Sequence, residues 1–123
     1  MIYLTEEQYQ ERKLFLRGAS TTMLWRNIHP DSVDGFNVLT YDEEKNIYIW
    51  FVEKLMRDGE IKLARRGKFL EGSIDEQVEI FLSVFPENEK SMNDDAFDGF
   101  WFLSDKCPAG IVWIEEDGSF DWT

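Results

Sequence analysis

Apolar positions recur at helical spacing through the first two thirds of the chain. The letters TEEQ near the N-terminus form a capping box, because the Thr5 hydroxyl can accept from the Gln8 amide while the Gln8 side chain reaches back. This box predicts a helix from Thr5 to Arg17, with Gly18 as its stop. A second short helix is predicted over residues 20–27.

The next segments alternate between a loop and a long helix. The sequence HPDSVDG at 29–35 predicts a loop, since its proline breaks helices and its Asp-Gly pair favours a turn. A long helix is then predicted to start near Asp42 and to end at Asp58–Gly59. Its apolar stripe follows the i, i+3, i+4, i+8 spacing of one helix face. The stripe consists of Ile47, Trp50, Phe51 and Leu55.

A strand and a further helix follow. EIKLA alternates, with Ile61 and Leu63 on one side and Lys62 on the other, and Arg66–Gly67 turns the chain. SIDE at 73–76 is a second capping box. It opens a helix that Pro86 closes, and ENEKSMNDD is predicted to be a polar connection. The helix stripe consists of Ile74, Val78, Phe81, Leu82 and Phe85.

The last quarter of the chain reads as strands. GFWFLS and GIVWIE are short aromatic and β-branched runs, and Glu116–Gly118 suits a three-residue hairpin loop with Gly118 left-handed. In that register the residues of each face separate cleanly. The predicted pairs are Glu115 with Ser119, Ile114 with Phe120, Trp113 with Asp121, and Val112 with Trp122. One face then holds Val112, Ile114, Phe120 and Trp122, and is interpreted as core; the other holds Trp113, Glu115, Ser119 and Asp121.

The second face leaves two alternatives open. Either Trp113 is exposed among carboxylates, beside Trp101 of the preceding strand, or helices cover both faces and bury it. The first arrangement has the composition of a protein-recognition surface. The second makes Trp113 an ordinary core residue.

These elements predict one α+β domain over residues 1–123, with about four helices and a small antiparallel sheet at the C-terminus. The length of 123 residues and the 43% of hydrophobic residues are enough for a single core. The one cysteine, Cys107, precludes an internal disulfide and favours a reducing compartment. The N-terminus has no signal-peptide pattern, and the longest apolar run, Ile47–Val52, is too short to span a bilayer. We therefore expect a cytoplasmic protein without a membrane partner.

Charge changes this picture because it is unevenly distributed. The net charge is −12, from 13 basic and 25 acidic residues. Residues 54–68 contain 6 basic and 2 acidic residues, whereas residues 86–123 contain 2 basic and 10 acidic residues, a local charge of −8. Such an acidic chain disfavours binding to nucleic acid and attracts basic proteins. Acidity that serves solubility alone is an equally ordinary explanation of the charge.

The candidates for catalysis are few. His29 is the one histidine, Cys107 is flanked by opposite charges in DKCPAG, and the chain lacks the common zinc and nucleotide motifs. We therefore predict no cofactor, no metal site and no catalytic residue. The alternative is a carboxylate-dependent or metal-dependent hydrolase that uses Asp94, Asp95 or Asp98. The basic stretch at 54–68 resembles a winged-helix edge, but the overall charge disfavours nucleic-acid binding. A contact of this stretch with the acidic tail, within one chain or in a dimer, is the alternative.

Two long segments carry a resemblance to known proteins. The run from Phe51 to Pro86, with DGEIKL and LEGSIDEQV, and the run DGFWFLSDKCPAGIVWIEEDGSFDWT at 98–123 resemble a family of small acidic bacterial proteins of unknown function. In general character the chain is also similar to the immunity proteins of bacterial toxin systems. The second likeness implies a non-catalytic protein that binds and blocks a toxin.

The sequence thus favours a protein-binding protein, specifically an inhibitor of a basic, nuclease-like toxin domain. A hydrolase and a structural or adaptor module that forms a homodimer are the alternatives. The predicted anchors are Trp101 and Trp113. The carboxylates predicted to attract the partner are Asp94, Asp95, Asp98, Asp105, Glu115, Glu116, Asp117 and Asp121.

Overall fold

The structure is a computed structural model and describes residues 4–28 and 39–123. The loop predicted at 29–35 and the candidate His29 lie outside the described residues. Within them the chain is α+β, as predicted. The helices are α1 (Glu6–Phe15), α2 (Thr21–Asn27), α3 (Tyr41–Arg57), α4 (Ile74–Val84), α5 (Glu89–Asn93) and a 3-10 turn (Phe100–Leu103). The strands are β1 (Ile61–Arg65), β2 (Lys68–Phe69), β3 (Gly110–Ile114) and β4 (Phe120–Trp122).

Side-chain caps fix where the main helices begin. Both predicted capping boxes form, Thr5 with Gln8 before α1 and Ser73 with Glu76 before α4. A third box, Thr40 with Glu43, starts α3 one residue before the predicted position. Each box satisfies amide groups that the first turn of a helix leaves unpaired.

The four strands form one antiparallel sheet in the order β2-β1-β3-β4. The predicted hairpin register is confirmed: Val112 pairs with Trp122, Trp113 with Asp121, and Ile114 with Phe120. The Glu115 amide donates to the Ser119 carbonyl at 2.8 Å. Gly118 has a φ of 86°, the left-handed conformation that a three-residue loop requires. Strand β2 follows the predicted Arg66–Gly67 turn and was not itself predicted.

The core lies between the helices and the inner face of the sheet. Trp25 is at its centre, with its ring 5.6 Å from that of Tyr48 and 5.9 Å from that of Phe102. Ile61 and Leu63 point from β1 into the same core, while Lys62 points outward, as the alternation predicted. This arrangement leaves the opposite face of the sheet directed away from the helical core.

Two predicted elements are wrong. GFWFLS is not a strand but contains the 3-10 turn, which Gly99 opens with φ of 88°. A strand would direct Trp101 and Phe102 to opposite faces, whereas the turn buries both. The connection ENEKSMNDD contains helix α5, because Asn88 caps the Ser91 amide and the Met92 side chain is fully buried.

Candidate partner-binding site

The face of the sheet that points away from the helices carries an exposed aromatic cluster. Phe69 comes from β2, and Phe120 and Trp122 come from β4, so the two edge strands meet across the outer face. The Phe69 ring stacks on Trp122 with centroids 5.2 Å apart and planes at 17°, and it meets Phe120 edge-on at 5.0 Å. We call these three residues the outer aromatic cluster.

Lys62, on the inner strand β1, contacts two rings of this cluster. Its Nζ atom lies 5.0 Å from the Phe69 ring centroid and 6.0 Å from that of Phe120. A cation over two ring faces attracts both rings electrostatically. Phe120 and Trp122 nevertheless remain 43% and 49% exposed. The cluster is therefore ordered by its own contacts and still open to solvent.

This arrangement corrects the interpretation of the two hairpin faces. Phe120 and Trp122 were assigned to the core, but both are exposed. Trp113, on the opposite face, is 0% exposed, and its Nε1 donates to the Ala19 carbonyl at 2.9 Å. Residues 17–19, between α1 and α2, cover that face, so Trp113 is buried as in the second alternative. Helices do not cover both faces, however, because the face of Phe120 and Trp122 is exposed.

Trp101 is also a core residue. It is 4% exposed, and its ring lies 5.3 Å from Phe85 and 6.4 Å from Phe81. The anchors predicted from the sequence, Trp101 and Trp113, are thus out of reach of an incoming protein. Their burial follows from the 3-10 turn in one case and from the α1–α2 junction in the other.

The predicted carboxylates divide into separate groups. At the base of the hairpin, Glu115 lies 3.9 Å from Arg17, which also binds Glu60 at 2.9 Å. Beyond that base, Glu116 and Asp117 are exposed in the loop. The Ser119 hydroxyl and amide donate to Asp117 and lower the pKa of its carboxyl, so this group stays charged.

The other carboxylates lie elsewhere. Asp121 on β4 approaches Gly18, whereas the Asp98 side chain accepts from Trp25 Nε1 at 2.9 Å. Asp94 and Asp95 follow α5 with positive φ values. Asp105 lies at the other end of the sheet, where its carbonyl accepts from Arg65 at 3.4 Å. Of the eight, the hairpin carries four: Glu115 and Asp121 lie on the face opposite the outer aromatic cluster, and Glu116 and Asp117 lie in the exposed loop that precedes Phe120.

The basic stretch at 54–68 does not form one surface. Lys54 lies 3.5 Å from Glu6, and Arg57 pairs with Glu53 and Asp75. Lys62 contacts the aromatic rings, while Arg65, Arg66 and Lys68 surround the β1–β2 turn. Lys54 and Arg57 are thus paired with carboxylates at the end of α3, whereas the other four basic residues lie on β1, β2 and the turn between them.

The groups considered for catalysis lie apart or are buried. Among residues 4–28 and 39–123, no three His, Cys, Asp or Glu side chains come together as a metal site would require. Burial raises the pKa of the Cys107 thiol to about 11, and its Sγ lies 3.3 Å from the Ala109 carbonyl. The thiol is therefore protonated at neutral pH. None of the helices in these ranges is long and apolar enough to cross a lipid bilayer.

Two open hollows border the outer aromatic cluster. One, of about 280 Å³, lies beside Trp122 and includes Arg65, Arg66 and Thr123 in its lining. The other, of about 310 Å³, lies beside Phe69 and includes Lys62 and Leu70. The rings thus stand between two depressions that side chains of another protein could enter.

The fold and this surface define a class: a small α+β protein whose four-stranded sheet packs one face on helices and exposes aromatic rings on the other. The chain belongs to the family described as protein of unknown function, DUF596, whose model matches residues 56–123. That match begins near the end of α3 and includes every strand of the sheet.

A solved structure shares the fold. It is described as an uncharacterised protein conserved in bacteria, from Neisseria meningitidis, and is 28% identical, with a TM-score of 0.69. The similarity covers 94% of this chain and 90% of that one. No curated protein matches the chain. The resemblance to a bacterial family of unknown function is confirmed, while the likeness to immunity proteins stays a prediction.

The sequence analysis missed the outer aromatic cluster because it assigned Phe120 and Trp122 to the core and gave Phe69 no partner. One signal was available: Lys62 was expected to point away from Ile61 and Leu63. Its partner across β1 and β3 is Val112, which shares a face with Trp122. The pairing of β1 with β3 was not predicted, so the sequence did not show that Lys62 and Trp122 lie on the same face of the sheet.

Proposed function

We propose that this chain is a non-catalytic protein-binding protein, and more specifically an immunity-type inhibitor that covers a basic, nuclease-like toxin domain in the cytoplasm. The single observation that carries the proposal is the outer aromatic cluster beside an acidic hairpin. The proposed contact residues are Phe69, Phe120 and Trp122, with Glu116 and Asp117 in the adjoining hairpin loop and Asp121 on the opposite face of β4. This surface replaces the one predicted around Trp101 and Trp113.

Packing supports the choice of aromatic anchors. Exposed rings that already stack on one another lose little side-chain freedom when a partner covers them, so more of the hydrophobic gain appears as affinity. Tryptophan and other aromatic residues are also enriched among the residues that dominate binding energy at interfaces. Lys62 adds to this preorganisation, because its ammonium group contacts the Phe69 and Phe120 rings.

Charge supports the choice of a basic partner. The net charge of −12 creates a field that accelerates the approach of a positively charged domain. Glu116 and Asp117 extend beyond the Arg17–Glu60 pairs, so their charges are not neutralised within the described chain. Carboxylates in this position can take the place of nucleic-acid phosphates on a basic nuclease surface.

The alternative hydrolase has no comparable support. Asp98 is engaged with the Trp25 indole, and Asp94 and Asp95 are separated from the hairpin acids by the 3-10 turn and β3. A structural or adaptor role through self-association would place two copies of a chain of net charge −12 against each other. Binding to a basic protein agrees better with both observations.

The test is titration with any basic protein domain that a neighbouring gene encodes. We expect a dissociation constant of about 1 nM to 100 nM that weakens as salt increases, as for other steered complexes. Trp122→Ala should weaken binding by at least about 10-fold, the effect of losing one interface anchor. Phe15→Ala is the matched control, because Phe15 is 82% exposed on α1, outside the sheet.

A charge pair sharpens the same test. Glu116→Lys should slow association, whereas Glu79→Lys, which makes the same change on exposed α4, should have a smaller effect. Co-expression should protect cells from the toxin domain, and the Trp122→Ala variant should protect less. Absence of binding to any basic neighbour-encoded protein, or equal effects of Trp122→Ala and Phe15→Ala, would overturn the proposal.

A further inference from the structure

Within residues 4–28 and 39–123, strand β4 is an edge of the sheet with no further strand beside it. It is the last strand in the order β2-β1-β3-β4, and all three of its residues are exposed. An edge strand has one row of backbone N–H and C=O groups without a neighbouring strand. Such a row is a template for an additional strand from another protein.

The hairpin register identifies which backbone groups face outward. Hydrogen-bonded and non-bonded pairs alternate along antiparallel strands. The Glu115 amide bonds to the Ser119 carbonyl, so the next bonded pair is Trp113 with Asp121. The N–H and C=O groups of Phe120 and Trp122 then point away from β3. Among the described residues, no hydrogen bond outside the sheet ladders involves these groups.

The side chains of β4 define the chemistry of an added strand. Phe120 and Trp122 lie on the outer face, and Asp121 lies between them on the opposite face. Residues directly across two paired strands share a face and contact each other. A suitable strand therefore places apolar residues opposite Phe120 and Trp122 and a basic residue opposite Asp121.

A second copy of this chain fits poorly at the same edge. An antiparallel pair of β4 strands centred on Asp121 would place two aspartates directly opposite each other, which is destabilising. Each copy also has a net charge of −12. A charged residue in the middle of a short edge strand is a known means of preventing such self-pairing.

We propose that the partner adds an extended segment of alternating apolar and basic residues to the free edge of β4. This inference rests on the proposed function, because it names how the partner engages the same surface. Main-chain bonds to Phe120 and Trp122 supply the alignment of the segment. The aromatic side chains and Asp121 supply its selectivity.

The test uses the peptide Ac-Val-Lys-Val-Lys-Val-NH2 as the probe and the full-length protein. We expect binding with a dissociation constant of about 1 mM or tighter, in the range that a few main-chain bonds and an ion pair can supply. In a two-dimensional amide NMR spectrum the largest shifts should occur at Phe120 and Trp122. The same peptide with Glu for Lys should bind at least about 10-fold more weakly, because it opposes the local field.

Backbone methylation separates edge pairing from simple contact. Cys107 allows a synthetic segment 107–123 to be ligated to residues 1–106 and the product refolded. Methylation of the Trp122 nitrogen should abolish peptide binding with little change in Tm, since this amide faces away from β3. Methylation of the Asp121 nitrogen, which faces β3, should instead lower Tm.

Each result has a defined meaning. Absence of peptide binding, equal binding of the Lys and Glu peptides, or unchanged binding after Trp122 methylation overturns strand addition. If the methylated protein still binds the toxin domain while Trp122→Ala does not, the proposed function stands and only the edge pairing fails. If no toxin domain binds but the peptide does, the proposed function fails and the edge assignment remains.

Discussion

The two faces of the sheet carry similar aromatic residues in different surroundings. On the inner face Trp113 donates its indole N–H to Ala19 and lies 5.6 Å from the Arg17 guanidinium. On the outer face Trp122 stacks on Phe69 and remains half exposed. The strands separate the two sets by alternation, but the α1–α2 junction determines which set is buried. Exposure on this sheet is thus a tertiary property rather than one of the hairpin.

The largest expected effect is the difference between the two tryptophans in stability. Trp113→Ala should lower the free energy of unfolding by about 3–5 kcal/mol, because it leaves a cavity in the core and an unpaired carbonyl at Ala19. Trp122→Ala should lower it by about 1 kcal/mol, the loss of partly exposed ring contacts. Urea titrations followed by circular dichroism measure both changes.

The control for this comparison is the slope of the urea titration. Both variants should keep the slope of the original protein, which shows that the folded and unfolded states are otherwise unchanged. Equal losses of stability in the two variants would contradict the assignment of inner and outer faces. A larger loss for Trp122→Ala would reverse it.

Local rules predicted much of this fold from the sequence. The capping boxes at Thr5 and Ser73 and the hairpin register are determined by neighbouring residues, and all of them formed as predicted. The site was harder to predict, because each face of the hairpin carries a tryptophan, Trp122 on one and Trp113 on the other. The hairpin sequence alone does not show which of the two is buried. The two faces are distinguished by contacts across long sequence separations: the pairing of β1 with β3 and the cover that the α1–α2 junction gives Trp113.

The 3-10 turn shows the same limit. FWFL has the composition of a strand, yet both Trp101 and Phe102 pack in the core around Phe85. Tertiary burial overrode the β propensity of these residues. In the same way, the partners of Asp98 and Trp113, which are Trp25 and Ala19, are distant in sequence and could not be read from local spacing.

The next expected effect concerns Cys107, which lies between the core and the hollow beside Trp122. Because burial raises the pKa of its thiol to about 11, the folded state keeps the proton while the unfolded state releases it near pH 9. Stability from this group is therefore fully present below about pH 9 and is lost as pH rises toward about 11. The full loss should be about 2.7 kcal/mol, because the two pKa values differ by about two units and each unit corresponds to about 1.36 kcal/mol.

The measurement is a set of urea titrations between pH 8 and pH 11 for the original protein and for Cys107→Ala. Tyr9, Tyr41 and Tyr48 also have pKa values raised by burial and add a loss above pH 10 that both proteins share. The difference between the two curves isolates the thiol. Parallel curves would show that the hollow beside Trp122 admits water as far as Cys107.

The smallest expected effect tests what orders the outer face. Lys62→Met keeps the apolar stem over Phe69 and Phe120 but removes the cation, so it should lower the free energy of unfolding by about 0.5 kcal/mol. Lys68→Met is the control, because Lys68 makes no cation–ring contact among the described residues. The ring signals of Phe69 and Phe120 in NMR spectra should shift in the first variant alone. Equal behaviour of the two variants would mean that ring stacking orders the cluster without Lys62, and the outer face would then need no charge to remain open and rigid.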